Sequence, residues 1–140
     1  MVDKALLAKA IADIRDAVKR IREVLPGDAG EFAADRTIRE VVVLNLFVAL
    51  QQCLSLAVHW LADEGRDVPA GYREVFLALA DRKVLSADLA ARLATAAGLR
   101  NLIAHRYGVL DWARIHAIAS SDLDDLLEFC EQLARKTDAS

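Results

Sequence analysis

The stretch VVVLNLFVALQQCLSLAV, residues 41–58, decides the fold. It lies in a segment of about 36–64 that is predicted to form one long helix, and apolar side chains surround this helix on almost all sides. A helix of this kind is covered by several neighbours, so we expect it to be the central helix of a bundle. Its densest apolar part, 41–50, is about ten residues long and is interrupted by Asn45. A bilayer span needs about twenty apolar residues, so we predict no membrane partner.

Shorter helices are predicted on both sides of this segment. Apolar residues at spacings of three and four form one stripe along a first helix of roughly 3–25, which Pro26-Gly27 ends. Apolar residues between Tyr72 and Leu79 mark a short third helix. The composition is 55% hydrophobic, with six Gly and two Pro, and favours helix over sheet. The sequence thus predicts an all-α, up-and-down bundle of four to five main helices, with residues 1–140 as a single domain.

The C-terminal half is predicted to contain two further helical segments. Ser86 is a suitable N-cap with Asp88 in the first turn, and it begins a fourth helix that Gly108 is expected to end. A last segment starts near Asp111, breaks around Ser120-Ser121 and then continues with apolar residues on one face.

The distribution of charge limits which partners are expected. The formal net charge of -3 argues against indiscriminate nucleic-acid binding, and DNA is not an expected partner. Residues 81–114 nevertheless carry six basic and three acidic side chains, whereas 115–140 carry two basic and six acidic ones. Attraction to phosphate would therefore be local to the fourth helix and would weaken strongly with salt.

Other parts of the sequence favour a cytoplasmic protein with reduced thiols. The start, Met1-Val2-Asp3-Lys4, lacks the pattern of a secretion signal, so we expect the cytoplasm. Cys53 and Cys130 lie in helical apolar patterns, and we predict buried, reduced thiols. No pattern with three metal ligands is evident, so neither a metal site nor a cofactor is predicted.

The residues most typical of a reactive site are in RNLIAHRY, residues 100–107. Arg100 carries a fixed charge and a planar fork of donors that fits phosphate oxygens. His105 can take and return a proton near neutral pH. Tyr107 adds a phenol two residues later. Together these groups can support metal-free cleavage of an RNA phosphodiester.

Helix geometry restricts how these groups can meet. At about 100° per residue, Arg100 and Tyr107 differ by roughly 20° around the axis, whereas Arg100 and His105 differ by roughly 140°. One straight helix does not bring Arg100 and His105 together. Two arrangements remain open. Either the helix ends near His105 and Gly108 lets the chain turn so that the imidazole comes back, or the site forms between two copies of the helix.

The stretch 100–107 resembles the Arg-x(4-6)-His signature of HEPN-domain ribonucleases, and its form with a following tyrosine is similar to the HepT toxin branch. The flanks are similar too, over roughly 35–133: DRTIRE at 35–40, the long apolar helix, Tyr72 and Phe76, Gly98-Leu99, and YGVLD at 107–111. The resemblance implies a HEPN-like fold, a metal-independent endoribonuclease, and a homodimer in which two motifs face each other. It also implies a partner, a minimal nucleotidyltransferase antitoxin of the MntA type that transfers AMP to the motif tyrosine, here Tyr107.

Each motif residue then has an expected role beside a plainer one. His105 is the predicted general base or acid, and Arg100 the group that stabilises the scissile phosphate. The plainer alternative for these two residues is a structural pair at the helix end that binds no phosphate. Asn101 either orients the imidazole, binds a phosphate oxygen, or is an ordinary polar residue of the helix surface. Arg106 contacts substrate or is a solvated charge. Tyr107 packs as an aromatic, positions substrate, or accepts AMP.

Three functional interpretations follow from the sequence. We favour an endoribonuclease toxin of a toxin–antitoxin pair that cleaves RNA by attack of the ribose 2′-OH. Its target is RNA, with tRNA as the family-level expectation and mRNA left open. The main alternative is a non-catalytic helical module that binds nucleotides or holds substrate for a nucleotidyltransferase. A purely structural bundle is favoured only if the motif faces the core.

Overall fold

A computed structural model describes residues 3–138. This part of the chain contains seven α-helices, one 3-10 turn and no β-strand. The α-helices are α1 (Lys4–Val24), α2 (Ala29–Ala34), α3 (Arg36–Asp63), α4 (Tyr72–Asp81), α5 (Ala87–His105), α6 (Trp112–Ser121) and α7 (Leu123–Asp138). The predicted all-α bundle is confirmed, and so is the break between α6 and α7. The six-residue helix α2 was not predicted, because a single turn and a half carries no periodic pattern.

The long helix α3 occupies the centre of the bundle. It contacts each of the other six α-helices. Leu46, Leu56 and Leu61 are among its fully buried side chains, and one hydrophobic cluster joins them to residues from every other helix. The central position follows from a helix that has almost no polar face.

The apolar part of α3 is longer than the ten residues counted from the sequence. An 18-residue window of this helix has a mean hydropathy of 2.1, so by length and composition α3 could cross a membrane. The count from sequence was wrong because it stopped at the two glutamines 51 and 52, beyond which the apolar pattern continues. Half of the window is buried inside the bundle, and coverage by other helices accounts for such a composition without a membrane.

Side-chain caps fix the starts of α5 and α6. The Ser86 hydroxyl accepts from the backbone N–H of Leu89 at 3.3 Å, which confirms the predicted N-cap. The Asp111 carboxylate accepts from the backbone N–H of Ala113 at 3.1 Å. These two caps bracket the segment that carries the 100–107 motif.

The end of α5 differs from the prediction. The helix stops at His105, and Arg106 leaves it with φ -140° and ψ 41° while its N–H donates to the Leu102 carbonyl at 2.8 Å. Gly108 lies in the 3-10 turn Tyr107–Val109 and does not have a positive φ. A left-handed conformation is what favours glycine as a C-cap, so the expectation that Gly108 ends the helix was wrong.

Both cysteines are buried and free, as predicted. Burial raises the pKa of Cys53 well above its usual range and raises the pKa of Cys130 to about 11. The two thiols therefore stay protonated at neutral pH and act as small apolar core groups.

Gly98, within α5, offers a test of how far an exposed glycine lowers the stability of this helix. A Cβ added there meets nothing within 4 Å, and its φ is ordinary. Because alanine favours helix over glycine by about 1 kcal/mol, Gly98→Ala should raise Tm by about 3 °C in a thermal melt followed by circular dichroism. A lower Tm would mean that another surface packs against this face of α5.

Candidate functional site

The five predicted site residues lie at the C-terminal end of α5 and in the turn that follows. Asn101, His105, Arg106 and Tyr107 are exposed, and Arg100 is half-buried. The motif therefore faces solvent rather than the core. This placement removes the condition under which a purely structural bundle was favoured.

The guanidinium of Arg100 is held in place by α3 and α4. It lies over the ring of Phe47 at 5.3 Å and over the ring of Tyr72 at 5.0 Å. Its Nε donates to the Gln51 amide oxygen at 2.8 Å. Two aromatic faces and one hydrogen bond fix both the plane and the direction of the cation.

Arg100 keeps free hydrogen-bonding capacity. Its Nη1 donates to the Asn101 side-chain oxygen at 3.0 Å, and no carboxylate pairs with it within residues 3–138. An arginine has five N–H groups. The hydrogen bonds to Asn101 and Gln51 use two of them, which leaves three for an anion. The observed contact of Asn101 is with this guanidinium and not with the imidazole.

His105 is the last residue of α5 and is exposed. In the part of the chain that the structure describes, its imidazole has no hydrogen bond or ion pair, with Arg100 or any other residue. The helix does end at His105, but this does not turn the imidazole back toward the guanidinium. Arg100 points toward α3 and α4, and a single copy leaves the two groups apart.

Tyr107 contacts Trp112, the first residue of α6. The two rings meet edge to face at 6.0 Å with an interplanar angle of 70°, and Tyr107 is 44% exposed. The pKa of the Arg36 guanidinium is raised mainly by a 2.8 Å hydrogen bond to Glu40, with a smaller contribution from the charge of Tyr107.

An open groove of about 620 Å³ runs beside the motif between α3 and α5. It is lined by Glu40, Val43, Leu44, Phe47, Ile103, Ala104 and Tyr107. The groove connects Tyr107 with Phe47, the ring that packs under Arg100. Leu44 is 62% exposed, so much of this surface is apolar and accessible.

Sequence reasoning missed the residues that hold the motif. Gln51 carried a usable signal, because it is one of the few polar side chains in the apolar part of α3. Tyr72 was noted only for the family resemblance and as a mark of the third helix, and Phe47 gave no signal that distinguished it from core aromatics. Trp112 likewise lies outside the motif and has no characteristic spacing from it.

A comparison with protein families identifies the family of this chain. The family model described as "Ribonuclease HepT-like" matches residues 14–133, well over half of the chain. The chain belongs to the HepT-like ribonuclease family. The predicted family assignment is thereby confirmed.

Individual relatives agree with the HepT-like assignment. The chain is 29% identical over 126 residues to "mRNA nuclease HepT" of Shewanella oneidensis, which covers 90% of this chain and 94% of that protein. A solved structure of the tri-AMPylated Shewanella oneidensis HEPN toxin in complex with MNT antitoxin matches with a TM-score of 0.86 and 28% identity, covering 96% and 99% of the two chains.

A more distant structure shows how widely the HepT-like fold extends. The cytosolic protein YutE from Bacillus subtilis, of unknown function, matches with a TM-score of 0.86 at 12% identity and covers 99% of this chain and 92% of its own. That likeness concerns the fold alone. The HEPN toxins among the solved neighbours confirm the predicted HEPN-like fold class.

Proposed function

We propose that this HepT-like protein is the toxin of a toxin–antitoxin pair and acts in the cytoplasm as a metal-independent endoribonuclease. The observation that carries the proposal is the Arg100 guanidinium, which is oriented by aromatic rings and lies on the same exposed helix end as His105. Among the residues that the structure describes, this guanidinium has no carboxylate partner. A purely structural bundle would have no need to keep a cation oriented and unpaired at a solvent-facing helix end, at a cost in desolvation.

The proposed reaction is transfer of the phosphate within the RNA chain. The ribose 2′-oxygen attacks the adjacent phosphorus, the bond from phosphorus to the 5′-oxygen breaks, and a 2′,3′-cyclic phosphate and a 5′-hydroxyl result. His105 moves a proton from the 2′-OH or to the leaving oxygen. Arg100 stabilises the extra charge of the phosphorane, and Arg106 adds a substrate contact. With charge and proton transfer both supplied by side chains, the reaction needs no metal and no cofactor.

The proposed active form is a homodimer. Arg100 and His105 lie roughly 140° apart around α5, so a second copy has to supply one of them to a shared cleft. The surface near the motif suits such an interface because two apolar side chains, Leu44 and Val109, are 62% and 63% exposed there. The arrangement also gives each RNA phosphate a protein surface on two sides.

Neutralisation is proposed to occur by transfer of AMP from a nucleotidyltransferase antitoxin to Tyr107. The support is that a 28% identical relative is described as a tri-AMPylated toxin in complex with its MNT antitoxin. Tyr107 is exposed and opens onto the groove lined by Phe47, the ring against which Arg100 lies. A negatively charged nucleotide in that groove would exclude an RNA phosphate by volume and by charge. The name of the relative favours mRNA as the first substrate to test, ahead of tRNA.

Attack by the 2′-OH predicts a specific response to the substrate. Cleavage should persist in excess EDTA and should stop when the sugar at the cut site is 2′-deoxy, because the nucleophile is then absent. The matched control is an oligonucleotide with the 2′-deoxy sugar one position further along, which should be cut normally. Mass spectrometry of the 5′ fragment should show a cyclic phosphate or its hydrolysis product. Cleavage at the deoxy position, or a requirement for Mg²⁺, would contradict the proposed reaction.

A further inference from the structure

Trp112 is not a motif residue, but it lies at the centre of a cluster of side chains next to the motif. Its ring meets Tyr107 at 6.0 Å and Phe32 at 6.3 Å, with interplanar angles of 70° and 74°. The Arg39 guanidinium lies over the same ring at 4.9 Å. One indole thus contacts the motif tyrosine and two groups from α2 and α3.

The inner side of this cluster is anchored in the core. Phe32 is fully buried and packs against the His116 ring at 5.7 Å. His116 is buried as well, and its Nε2 lies 2.8 Å from the Pro26 carbonyl oxygen. Trp112 is therefore fixed on its inner side by groups that cannot move without disturbing the core.

Arg39 is held in an unusual way. Its Nη1 donates to the Ala33 carbonyl near the end of α2, and no carboxylate pairs with it among the described residues. Its Nε is buried and has no hydrogen-bond partner in the described part of the chain. A buried N–H left unpaired costs free energy, so the contact with Trp112 is one of the few interactions that retain the guanidinium there.

Tyr107 depends on this cluster for its direction. It lies in a three-residue 3-10 turn that has no side-chain cap, after the last residue of α5. Within residues 3–138, Trp112 is its one aromatic contact. We infer that Trp112, held by Arg39 and Phe32, is a positioning residue that presents the Tyr107 hydroxyl to the nucleotidyltransferase. This inference rests on the proposed modification of Tyr107.

The step that Trp112 would assist is a nucleotidyl transfer. The Tyr107 oxygen attacks the α-phosphorus of ATP bound by the transferase and forms the new O–P bond. The α,β-anhydride bond breaks, pyrophosphate leaves, and the phenolic proton passes to a base or to water. Trp112 touches none of the reacting atoms. It raises the rate because a tyrosine held in one direction spends less of each encounter misaligned.

The test compares Trp112→Leu with Trp112→Phe. Purified protein, transferase and ATP are incubated, AMP addition to Tyr107 is followed by peptide mass spectrometry, and RNA cleavage is measured on the unmodified protein. Loss of an aromatic pair of this kind should lower kcat/KM for AMP addition to Tyr107 by roughly three- to tenfold in the Trp112→Leu protein. Trp112→Phe keeps an aromatic ring and should recover most of that rate. RNA cleavage should fall clearly less than modification does in the leucine variant.

Trp60→Phe is the matched control, because it changes the other tryptophan, on α3. It should accept AMP at the wild-type rate. The same variant leaves Trp112 as the one tryptophan of the chain, so its fluorescence should change when Tyr107 is modified. If Trp112→Leu does not fold, Arg39→Lys serves instead. It retains the charge but cannot stack flat on the indole, and should slow modification in the same direction.

Two results would overturn the inference while leaving the proposed function intact. One is modification of Trp112→Leu at the wild-type rate. The other is an equal fall of modification and RNA cleavage, which would indicate a merely structural role. Failure of the wild-type protein to accept AMP at Tyr107 would instead reject the proposed regulation, and this inference with it.

Discussion

His105→Ala is expected to lower the rate of RNA cleavage by about 10²- to 10⁴-fold, the usual contribution of a general acid or base. Arg100→Ala should cause a loss at least as severe, because nothing else in the motif is an oriented, unpaired cation. His105 is exposed and has no hydrogen bond or ion pair to lose within residues 3–138, so the His105→Ala protein should fold normally. Rates on a labelled RNA, with circular dichroism and size-exclusion chromatography on the same samples, test both variants.

Two other substitutions provide matched controls. His59→Ala removes an exposed imidazole from α3, and Arg92→Ala removes a guanidinium of α5 that pairs with Asp125 at 3.0 Å. Both variants should cleave RNA at nearly the wild-type rate, because neither side chain belongs to the motif. Loss of the exposed ion pair should also change the stability of the Arg92→Ala protein little. Full activity in a folded His105→Ala protein would reject the proposed mechanism.

Mixing the two inactive variants distinguishes a shared site from one within a single protomer. If each site takes Arg100 from one copy and His105 from the other, a mixed dimer of Arg100→Ala and His105→Ala has one intact site. After joint refolding in equal amounts, about a quarter of the wild-type activity should return, because half of the dimers are mixed and each has one working site. No recovery, with mixed dimers shown to be present by mass spectrometry, would place both groups in one protomer.

Tyr107→Phe is expected to abolish AMP addition completely and to leave the antitoxin unable to neutralise the toxin. The substitution removes the acceptor oxygen but retains the ring and its contact with Trp112. In cells that express both proteins, growth should stop with the phenylalanine variant and continue with the wild type. Mass spectrometry of the wild-type protein should show added AMP on the peptide that contains residue 107.

The only other tyrosine of the sequence supplies the control. Tyr72→Phe keeps the ring beneath Arg100 and should still accept AMP at Tyr107. Added mass on another residue would reject Tyr107 as the acceptor. Full inhibition by a catalytically inactive transferase, without added mass, would show that binding alone neutralises the toxin. If the Tyr107 hydroxyl also takes part in cleavage, Tyr107→Phe loses toxicity, and the mass measurement on the wild type then decides.

What the sequence predicts well is local or follows from a long repeat. The central place of α3 follows from its apolar surface, and the Ser86 cap follows from one side chain and a backbone N–H three residues away. The end of α5 was predicted at Gly108, with an end near His105 left open, and the structure places it at His105. Gly108 was a poor guide because it does not adopt the left-handed conformation that makes glycine a C-cap. The contact between Arg100 and Gln51 joins residues 49 positions apart, and no local pattern encodes such a distance.

The position of α3 has a consequence for how the toxin is silenced. Arg39, which supports Trp112 and so Tyr107, is on the same helix as Gln51, which supports Arg100. The two supports are twelve positions apart, or about 18 Å along one packed, continuous helix. Close packing of α3 keeps the two supports at a fixed separation, so we expect a change at Tyr107 to leave Arg100 in place. We therefore expect inhibition by AMP to act by occupancy rather than by allostery, with the cleavage groups left in place and the nucleotide lying where the RNA would bind.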